Sequence, residues 1–303
     1  MIELAETLST PATNQGSSDD PPSLCLDQNG SSAFDAHNFQ ALKERLRQMW
    51  MAGDYGHFAQ YLASSVSEFF AHLDIEPGAR VLDLACGAGQ LSVMAARLGA
   101  IVTGLDLAAN SLEQARARAS AENLNIDFVE GDVESLPYAD ASFDLVVSLI
   151  GAMFAPRPTL VASEMLRVCR PGGRIAMGNW TPCGFVGRMF EIHSRFVPPP
   201  SEVPSPVQWG SESVVRARLG PYVSDLRMTT GVYRLRYPFP PADVVEFYRI
   251  CYGPTNHTFA ALGQQAQAEL RRDLEQLWST HNLCDDGKTD VEAEYLAVSA
   301  VRL

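Results

Sequence analysis

Val81-Leu82-Asp83-Leu84-Ala85-Cys86-Gly87-Ala88-Gly89 is the stretch that decides how this chain folds. Its first half, within Arg80–Ala85, is an apolar run of strand length, and its second half is a glycine turn. Just beyond, Leu91, Met94, Ala95 and Leu98 recur at helical spacing until Gly99, which suits a C-terminal cap. A strand that enters a helix through Gly87 and Gly89 opens its backbone to close approach, because neither residue carries a β-carbon. The helix start adds unpaired N–H groups that favour an anionic group. In an open parallel sheet, ligands dock at such strand ends. Taken alone, a Gly-x-Gly turn also fits a tight turn with no ligand.

Working outward, strand and helix keep alternating. Ile101–Leu105 reads as the second strand, and Asn110 with Glu113 gives an N-x-x-E helix start running through Ala121. Ile126–Val129 and Phe143–Leu149 are further strands. Leu160–Cys169 is a helix stopped by Pro171-Gly172-Gly173, and Arg174–Trp180 is a fifth strand. This rhythm predicts an α/β fold: a doubly wound, seven-stranded, mostly parallel sheet with right-handed crossovers.

Residues 1–36, rich in Ser, Pro, Asp, Asn and Gly, read as a disordered N-terminal tail. Residues 37–77 form an N-terminal helical cap, with Leu42, Leu46, Met49 and Trp50 on one helix and Tyr61–Leu73 on a second. Residues 78–182 are the ligand-binding core. Residues 183–303 add acceptor-side elements: a helix at Phe185–Phe196, an extended Val197–Pro206, a short helix at Ser211–Leu219 and a strand at Leu226–Tyr237. Helices at Ala242–Tyr252 and Phe259–Leu277 then form an insertion between the last two strands. Glu292–Arg302 is the final strand, expected at the sheet edge.

Composition removes several classes of function. The 303 residues carry 23 Lys and Arg against 36 Asp and Glu, a formal charge of −13. Such a chain has no global field for a phosphate backbone, which argues against nucleic acid as a partner. The longest apolar run, Leu145–Ala155, is interrupted at Ser148 and ends at Pro156, too short for a membrane span. The N-terminus lacks the features of a secretory signal. Six scattered cysteines without a C-x-x-C pair suit reduced thiols in a cytoplasmic protein. The histidines show no ligand spacing, so no metal is expected.

Two further acids sharpen the reading. Asp106 closes the second strand, where its carboxylate can accept both hydroxyls of a ribose. Asp132, just after the third strand, can accept from the exocyclic amine of adenine. Each alone is an ordinary helix cap or loop acid. Together with Asp83, at consecutive strand ends, they describe a cleft for a nucleoside bearing a cationic group.

The order of these segments resembles a class I S-adenosylmethionine-dependent methyltransferase, in the branch of the methyltransferases of type 11 that includes ubiquinone and menaquinone C-methyltransferases. Val81–Gly89 is similar to the first motif of that family. Gly104-Leu105-Asp106-Leu107, Gly131-Asp132-Val133-Glu134 with Leu136-Pro137, Ser142–Val146 and Leu166–Arg174 match the stations that follow. The resemblance covers residues 78–182 and implies a Rossmann-like fold with S-adenosyl-L-methionine as cofactor. It also implies that Asp83, Ala85, Gly87 and Gly89 line the methionine part. Asp106 takes the ribose, Leu107 flanks the adenine, and Asp132 with Val133 holds the adenine edge. Ser148 and Leu149 face the sulfonium and the acceptor. Met49–Tyr55, Trp180–Pro182 and Tyr252–Thr255 resemble segments of bacterial members that fold over the cofactor, with Trp50 and Tyr55 closing the top.

The departures matter as well. Ser92 replaces the third glycine of a Gly-x-Gly-x-x-Gly fingerprint, which argues against a nicotinamide cofactor although Asp106 would suit its ribose. Ser148 stands where amine- and base-methylating branches carry Asp/Asn-Pro-Pro-Tyr. No catalytic residue is obligatory for methyl transfer, since a base is needed only if the acceptor must lose a proton. His193 and Tyr252 are the candidates, with Tyr248, His57 and His257 behind them. The aromatic residues of the insertion point to a small-molecule acceptor that is partly apolar. A cofactor-binding protein of the same fold that catalyses another reaction or serves as a partner subunit, a nicotinamide-dependent oxidoreductase, and a homodimer all stay open on the sequence alone.

Overall fold

The computed structural model describes residues 36–303; the expected N-terminal tail lies outside the described residues but for its last member. Three helices come first: α1 (Ala36–Met51), α2 (Tyr55–Ala59) and α3 (Ala63–Phe70), the last two joined by a 3₁₀ turn at Gln60–Leu62. The helix expected over Tyr61–Leu73 is present as α3 but shorter, beginning after the 3₁₀ turn and ending at Phe70. Next come β1 (Arg80–Leu84), α4 (Gln90–Arg97), β2 (Ile101–Asp106), α5 (Ala109–Ala121), β3 (Asp127–Glu130) and β4 (Phe143–Leu149). Then follow α6 (Pro158–Val168), β5 (Cys169–Trp180), α7 (Phe185–Phe196), α8 (Glu212–Leu219) and β6 (Val223–Tyr237). The chain closes with α9 (Pro241–Cys251), α10 (Gly253–Ala260), α11 (Gln264–His281) and β7 (Thr289–Arg302).

All seven strands join one sheet in the order β3-β2-β1-β4-β5-β7-β6, with β1 to β5 parallel and β7 antiparallel to both its neighbours. Central strands covered by helices on both faces are apolar on both faces. Accordingly Val81, Leu82, Leu84, Val146 and Val147 are all fully buried. The strand order reverses between β1 and β4, so the crevice for a ligand opens at the ends of β1, β2 and β4.

Four local expectations are corrected. The last strand is not the edge: β7 lies between β5, paired from Arg174↔Val301 to Trp180↔Tyr295, and β6, paired to Tyr237↔Thr289. The edge is β6, whose Asp225, Arg227, Arg234 and Arg236 are the charged residues an edge tolerates. Ser65 of α3 covers part of it, donating to the Arg234 carbonyl at 3.3 Å and accepting from its amide at 3.0 Å.

Asn110 does not cap α5. Ala108 holds the cap position, its amide donating to Asp106 Oδ1 at 2.8 Å, while Asn110 Nδ2 donates to the Met51 carbonyl at 3.2 Å. The polar side chain has a better use in tying the end of α1 to the core. The helix expected over Phe259–Leu277 breaks at Ala261-Leu262-Gly263. There Gln267 Nε2 donates to the carbonyls of Phe259 and Leu262 at 2.8 and 2.9 Å, satisfying the end of α10. Finally, Pro171-Gly172-Gly173 ends α6 by entering β5 directly, as a bulge between the Phe143↔Cys169 and Leu145↔Arg174 pairs.

Gly89 takes the left-handed conformation, φ 75°, at the cap of α4, and a β-carbon there would stand 2.9 Å from Ala115 Cβ of α5. Gly89→Ala should therefore lower unfolding free energy by about 1–3 kcal/mol, through backbone strain and crowding together. Urea denaturation checks this; an unchanged midpoint would contradict the packing.

Candidate active site

Two cavities open at the carboxyl ends of the central strands. One, of about 760 Å³, lies on the side of β2 and β3; the other, of about 830 Å³, lies between β1, β4 and β5 under α2, α7 and α9. They meet at Trp50, Tyr55, Ala85, Gly87, Ile150 and Phe154, which line both.

The first cavity is built around Asp106. Its Oδ2 accepts from the Gly87 amide and its Oδ1 from the Ala108 amide, both at 2.8 Å. Each oxygen keeps a second lone pair for a ligand. Burial pushes the Asp106 carboxyl up, and the backbone donors work against that shift. Above Gly87 lies the Tyr55 ring, so close that a β-carbon on Gly87 would stand 2.9 Å from Cε1. Burial and the neighbouring Asp106 push the Tyr55 hydroxyl up, so it stays protonated.

At the far end of this cavity Asp132 is already paired. Lys43, reaching over from α1, meets the Asp132 carboxylate and also sits 2.6 Å from Glu134. Glu134 is buried and accepts in turn from the Arg157 side chain at 2.7 Å and its amide at 2.6 Å. Lys43 gave no sign of itself in the sequence, where it is one lysine on an ordinary helix. Leu107, Val133, Leu46 and Phe154 provide the apolar walls, suited to a flat ring.

The second cavity has a different character. Asp83, 2% exposed, points its Oδ2 at Ser92 Oγ at 2.6 Å. Burial raises its carboxyl to about 7, with Asp106 adding to the rise and the Ser92 bond opposing it. Ala85 and Ile150, at the tips of β1 and β4, both hold left-handed φ values of 52° and 57°. Non-glycine residues adopt that region at an energy cost, and such strain collects at ligand sites. The remaining wall is largely aromatic, with Phe58, Trp180, Tyr233, Tyr248 and Tyr252 among the lining residues. Cys86 lines it too, but burial and the Asp83 and Asp106 carboxylates push its thiol well up, so it is no nucleophile.

Trp50, Tyr55, Asp83, Ala85, Gly87, Asp106, Leu107, Asp132, Val133 and Tyr252 are thus brought to one connected space. Three expected site residues are not. Gly89 lines neither cavity and instead lets α4 pack on α5. Ser148 is buried beneath the site, donating to the Leu84 carbonyl and accepting from the Ala152 amide, both at 2.9 Å. That bridge shapes the turn after β4 and leaves the neighbouring Leu149 and Ile150 to line the cavity. His193 is buried between α7 and α10, its Nε2 3.2 Å from Thr255 Oγ1, and burial lowers it to about 4. A general base that touches no cavity wall has no acceptor to act on. His57 and His257 also lie outside both linings.

Comparison with known proteins decides the family. Residues 82–177 match the family model described as a methyltransferase domain. An uncharacterized Mycobacterium tuberculosis protein is 37% identical over 269 residues, 88% of this chain and 97% of its own. A methyltransferase of Streptomyces halstedii is 39% identical over 115 residues, covering 37% of this chain and 41% of that one. The crystal structure of the YcgJ protein of Bacillus subtilis superposes with a TM-score of 0.55 at 17% identity, over 79% of this chain and 98% of that one. The chain belongs to the class I S-adenosylmethionine-dependent methyltransferases.

The residues present fit that cofactor. A carboxylate with free lone pairs at the end of β2, an apolar slot beside it and a second carboxylate at the junction suit a ribose, an adenine and a cationic methionine chain in that order. What reading the sequence missed are Lys43, Leu46, Ile150, Phe154 and Tyr233. Ile150 and Phe154 follow β4 directly and carry a positional signal; Lys43 and Tyr233 carry none.

Asp83 allows a pH test of the empty protein. Its folded carboxyl ionises near 7 and its unfolded reference is 3.8, so the folded state holds the extra proton between those values. The stability it contributes is complete below the unfolded value and is lost as pH rises through about 7. Asp83→Asn removes that dependence. Relative to the variant, the parent protein should lose about 1–2 kcal/mol between pH 5.5 and 8, read by urea unfolding. An equal difference at both pH values would show that Asp83 does not titrate there.

Proposed function

We propose that this enzyme methylates a small-molecule acceptor held in the aromatic cavity, by direct in-line transfer and without a metal ion. The observation that carries this reading is the meeting of two cavities at Ala85, Gly87 and Ile150, one lined by Asp106, Leu107, Asp132 and Val133, the other by Phe58, Trp180, Tyr233 and Tyr248. A recessed cleft walled by aromatic and aliphatic side chains suits a whole metabolite better than a side chain of a folded protein or a stacked base. Among the described residues no group of three or more His, Cys, Asp or Glu side chains is placed to hold a metal ion. No described helix is long and apolar enough to cross a membrane.

S-adenosylmethionine, when bound, supplies an electrophilic methyl group on a positively charged sulfur. Asp106 and the slot between Leu107 and Val133 would hold its nucleoside, and Asp83 would face its cationic chain, so that an acceptor in the neighbouring cavity would meet the methyl group at the junction. What this chain contributes is alignment. Trp50 and Tyr55 roof the junction, Trp50 packing on Phe154 at 5.1 Å and on Tyr252 at 5.8 Å between ring centroids, and they shut out water. Holding two reactants in line is worth about 7–11 kcal/mol in favourable cases. Asp106 and Asp83 act by binding and by charge, with no proton to move.

Incubation with methyl-labelled cofactor and a metabolite extract should place label in the small-molecule fraction. Label found only in protein or nucleic acid would overturn the acceptor class. Asp106→Asn should raise the dissociation constant for S-adenosylmethionine about 10- to 100-fold, the value of one or more charge-assisted hydrogen bonds. Calorimetry reads this, with a thermal melt to confirm that the variant stays folded. An unchanged constant would remove Asp106 from the ribose position.

A further inference from the structure

The acceptor cavity discriminates by charge. Among the described residues no lysine, arginine or histidine lines it, and Asp83 is its one carboxylate. This contrasts with the adjoining cavity, where Lys43 stands among the lining residues. The neutral polar groups inside are the Gln90 carboxamide at the start of α4, the Cys86 thiol and the tyrosine hydroxyls, of which two are already committed. Tyr233 Oη donates to the Leu62 carbonyl at 3.3 Å, and Tyr248 Oη lies 3.0 Å from Tyr237 Oη. Tyr252 differs. It is 6% exposed and lines the cavity, and its hydroxyl, like that of Tyr55 at the roof, makes no hydrogen bond to another described residue. Its ring is fixed from two sides by Phe58 at 5.1 Å and Trp50 at 5.8 Å, so the hydroxyl has a set position.

We infer that the acceptor is an uncharged aromatic or similarly flat apolar molecule, bound through one polar group by the Tyr252 hydroxyl, and that carboxylated or phosphorylated molecules are rejected. This rests on the reading of the aromatic cavity as the acceptor site. Two physical effects act against an anion there. An ion moved into an apolar pocket without a counter-charge loses hydration that nothing replaces. The Asp83 carboxylate, when ionised, repels it further. A neutral ring loses little on entering and gains contact with aromatic faces and edges. A single polar group on it pairs with the Tyr252 hydroxyl, which sets the orientation of the ring against the junction with the neighbouring cavity. Tyr252 therefore acts as a specificity residue that touches the acceptor. Burial pushes its hydroxyl well up, so it donates as a neutral phenol.

The test uses the full chain, saturated with S-adenosylhomocysteine, and two probes of one skeleton: 1-naphthol and its carboxylated counterpart 1-hydroxy-2-naphthoate. Equilibrium dialysis at pH 7.5 measures both. The neutral probe should bind at least about 30-fold more tightly than the carboxylate. Tyr252→Phe should weaken naphthol binding about 3- to 15-fold, the range of one neutral hydrogen bond. The same variant should leave binding of S-adenosylhomocysteine within twofold and the melting temperature unchanged, since the lost hydroxyl supports nothing in the protein. Equal or tighter binding of the carboxylate, no saturable binding of naphthol, or an unchanged naphthol constant in Tyr252→Phe each overturn the inference. Failure of the parent protein to bind S-adenosylhomocysteine would instead count against the cofactor site, and the two failures are read separately by calorimetry.

Discussion

The Asp106 carboxylate, accepting the Gly87 and Ala108 amides at 2.8 Å each, ties the glycine turn after β1 to the start of α5. Neither loop has regular structure of its own at that point, and each would otherwise leave a buried donor without a partner, at a cost of about 1–3 kcal/mol. With both amides held, the turn can pass through left-handed positions at Ala85, Gly87 and Gly89 in succession. Gly89 then lets α4 lie against α5, and Gly87 lets the Tyr55 ring rest on the backbone. The shape of the cofactor cavity follows from this one carboxylate. So does its electrostatics, because Asp106 adds to the burial that pushes up the Tyr55 hydroxyl and the Asp83 carboxyl.

The roof of the site is attached by a different set of forces. α1 carries Lys43 to Asp132 and Glu134, and Arg47 to Glu130 at 2.9 Å. Asn110 holds the Met51 carbonyl at the other end of the same helix. Between these polar ties Trp50 packs edge-on against Tyr55, Phe154 and Tyr252. The Arg47 pair is partly exposed and is worth little by itself. The Lys43 pair matters more, because it neutralises a Glu134 side chain with no exposure to solvent. Removing one partner of such a buried group leaves an uncompensated charge, which is how α1 becomes bound to the Asp132 end of the cavity.

The parts legible in the sequence are those in which local chemistry and tertiary role coincide. β1, β2 and β4 are short, apolar and bounded by glycine or acidic turns, so period and punctuation agree, and the acids at their tips land where the strand ends meet. Reading failed where a side chain had a better partner than the local one. Asn110 looks like a cap, yet Asp106 already satisfies that position and frees the amide for α1. Ser148 sits at the tip of β4 but alternation turns it inward, to the Leu84 carbonyl. Position in the chain puts β7 at the sheet edge, and the structure puts β6 there. The charges of β6 against the apolar Val291, Ala293, Leu296, Val298 and Ala300 of β7 carried the answer. The aromatic wall was half visible as composition and invisible as geometry, since no local pattern brings Phe58, Tyr233 and Tyr252 together.

The rings of that wall are both lining and core. Phe58 meets Tyr248 at 5.0 Å and Tyr252 at 5.1 Å, while Trp180 meets Tyr233 at 5.3 Å. These contacts join the N-terminal helices, the tip of β5, the edge strand and the insertion. Each ring buries on the order of 150–250 Å² and is held edge-on or stacked by its neighbours. The aromatic cavity is consequently shaped before any ligand arrives, which lowers the ordering penalty of binding. A rigid apolar wall of this kind is a coarse judge of size, because one methylene is worth only about 1–3 kcal/mol. It is a severe judge of unpaired polarity, because nothing in it can move to meet a charge. Widening the acceptor range by substitution would then also loosen the packing that fixes α2, β6 and α9, so selectivity and stability are carried by the same side chains.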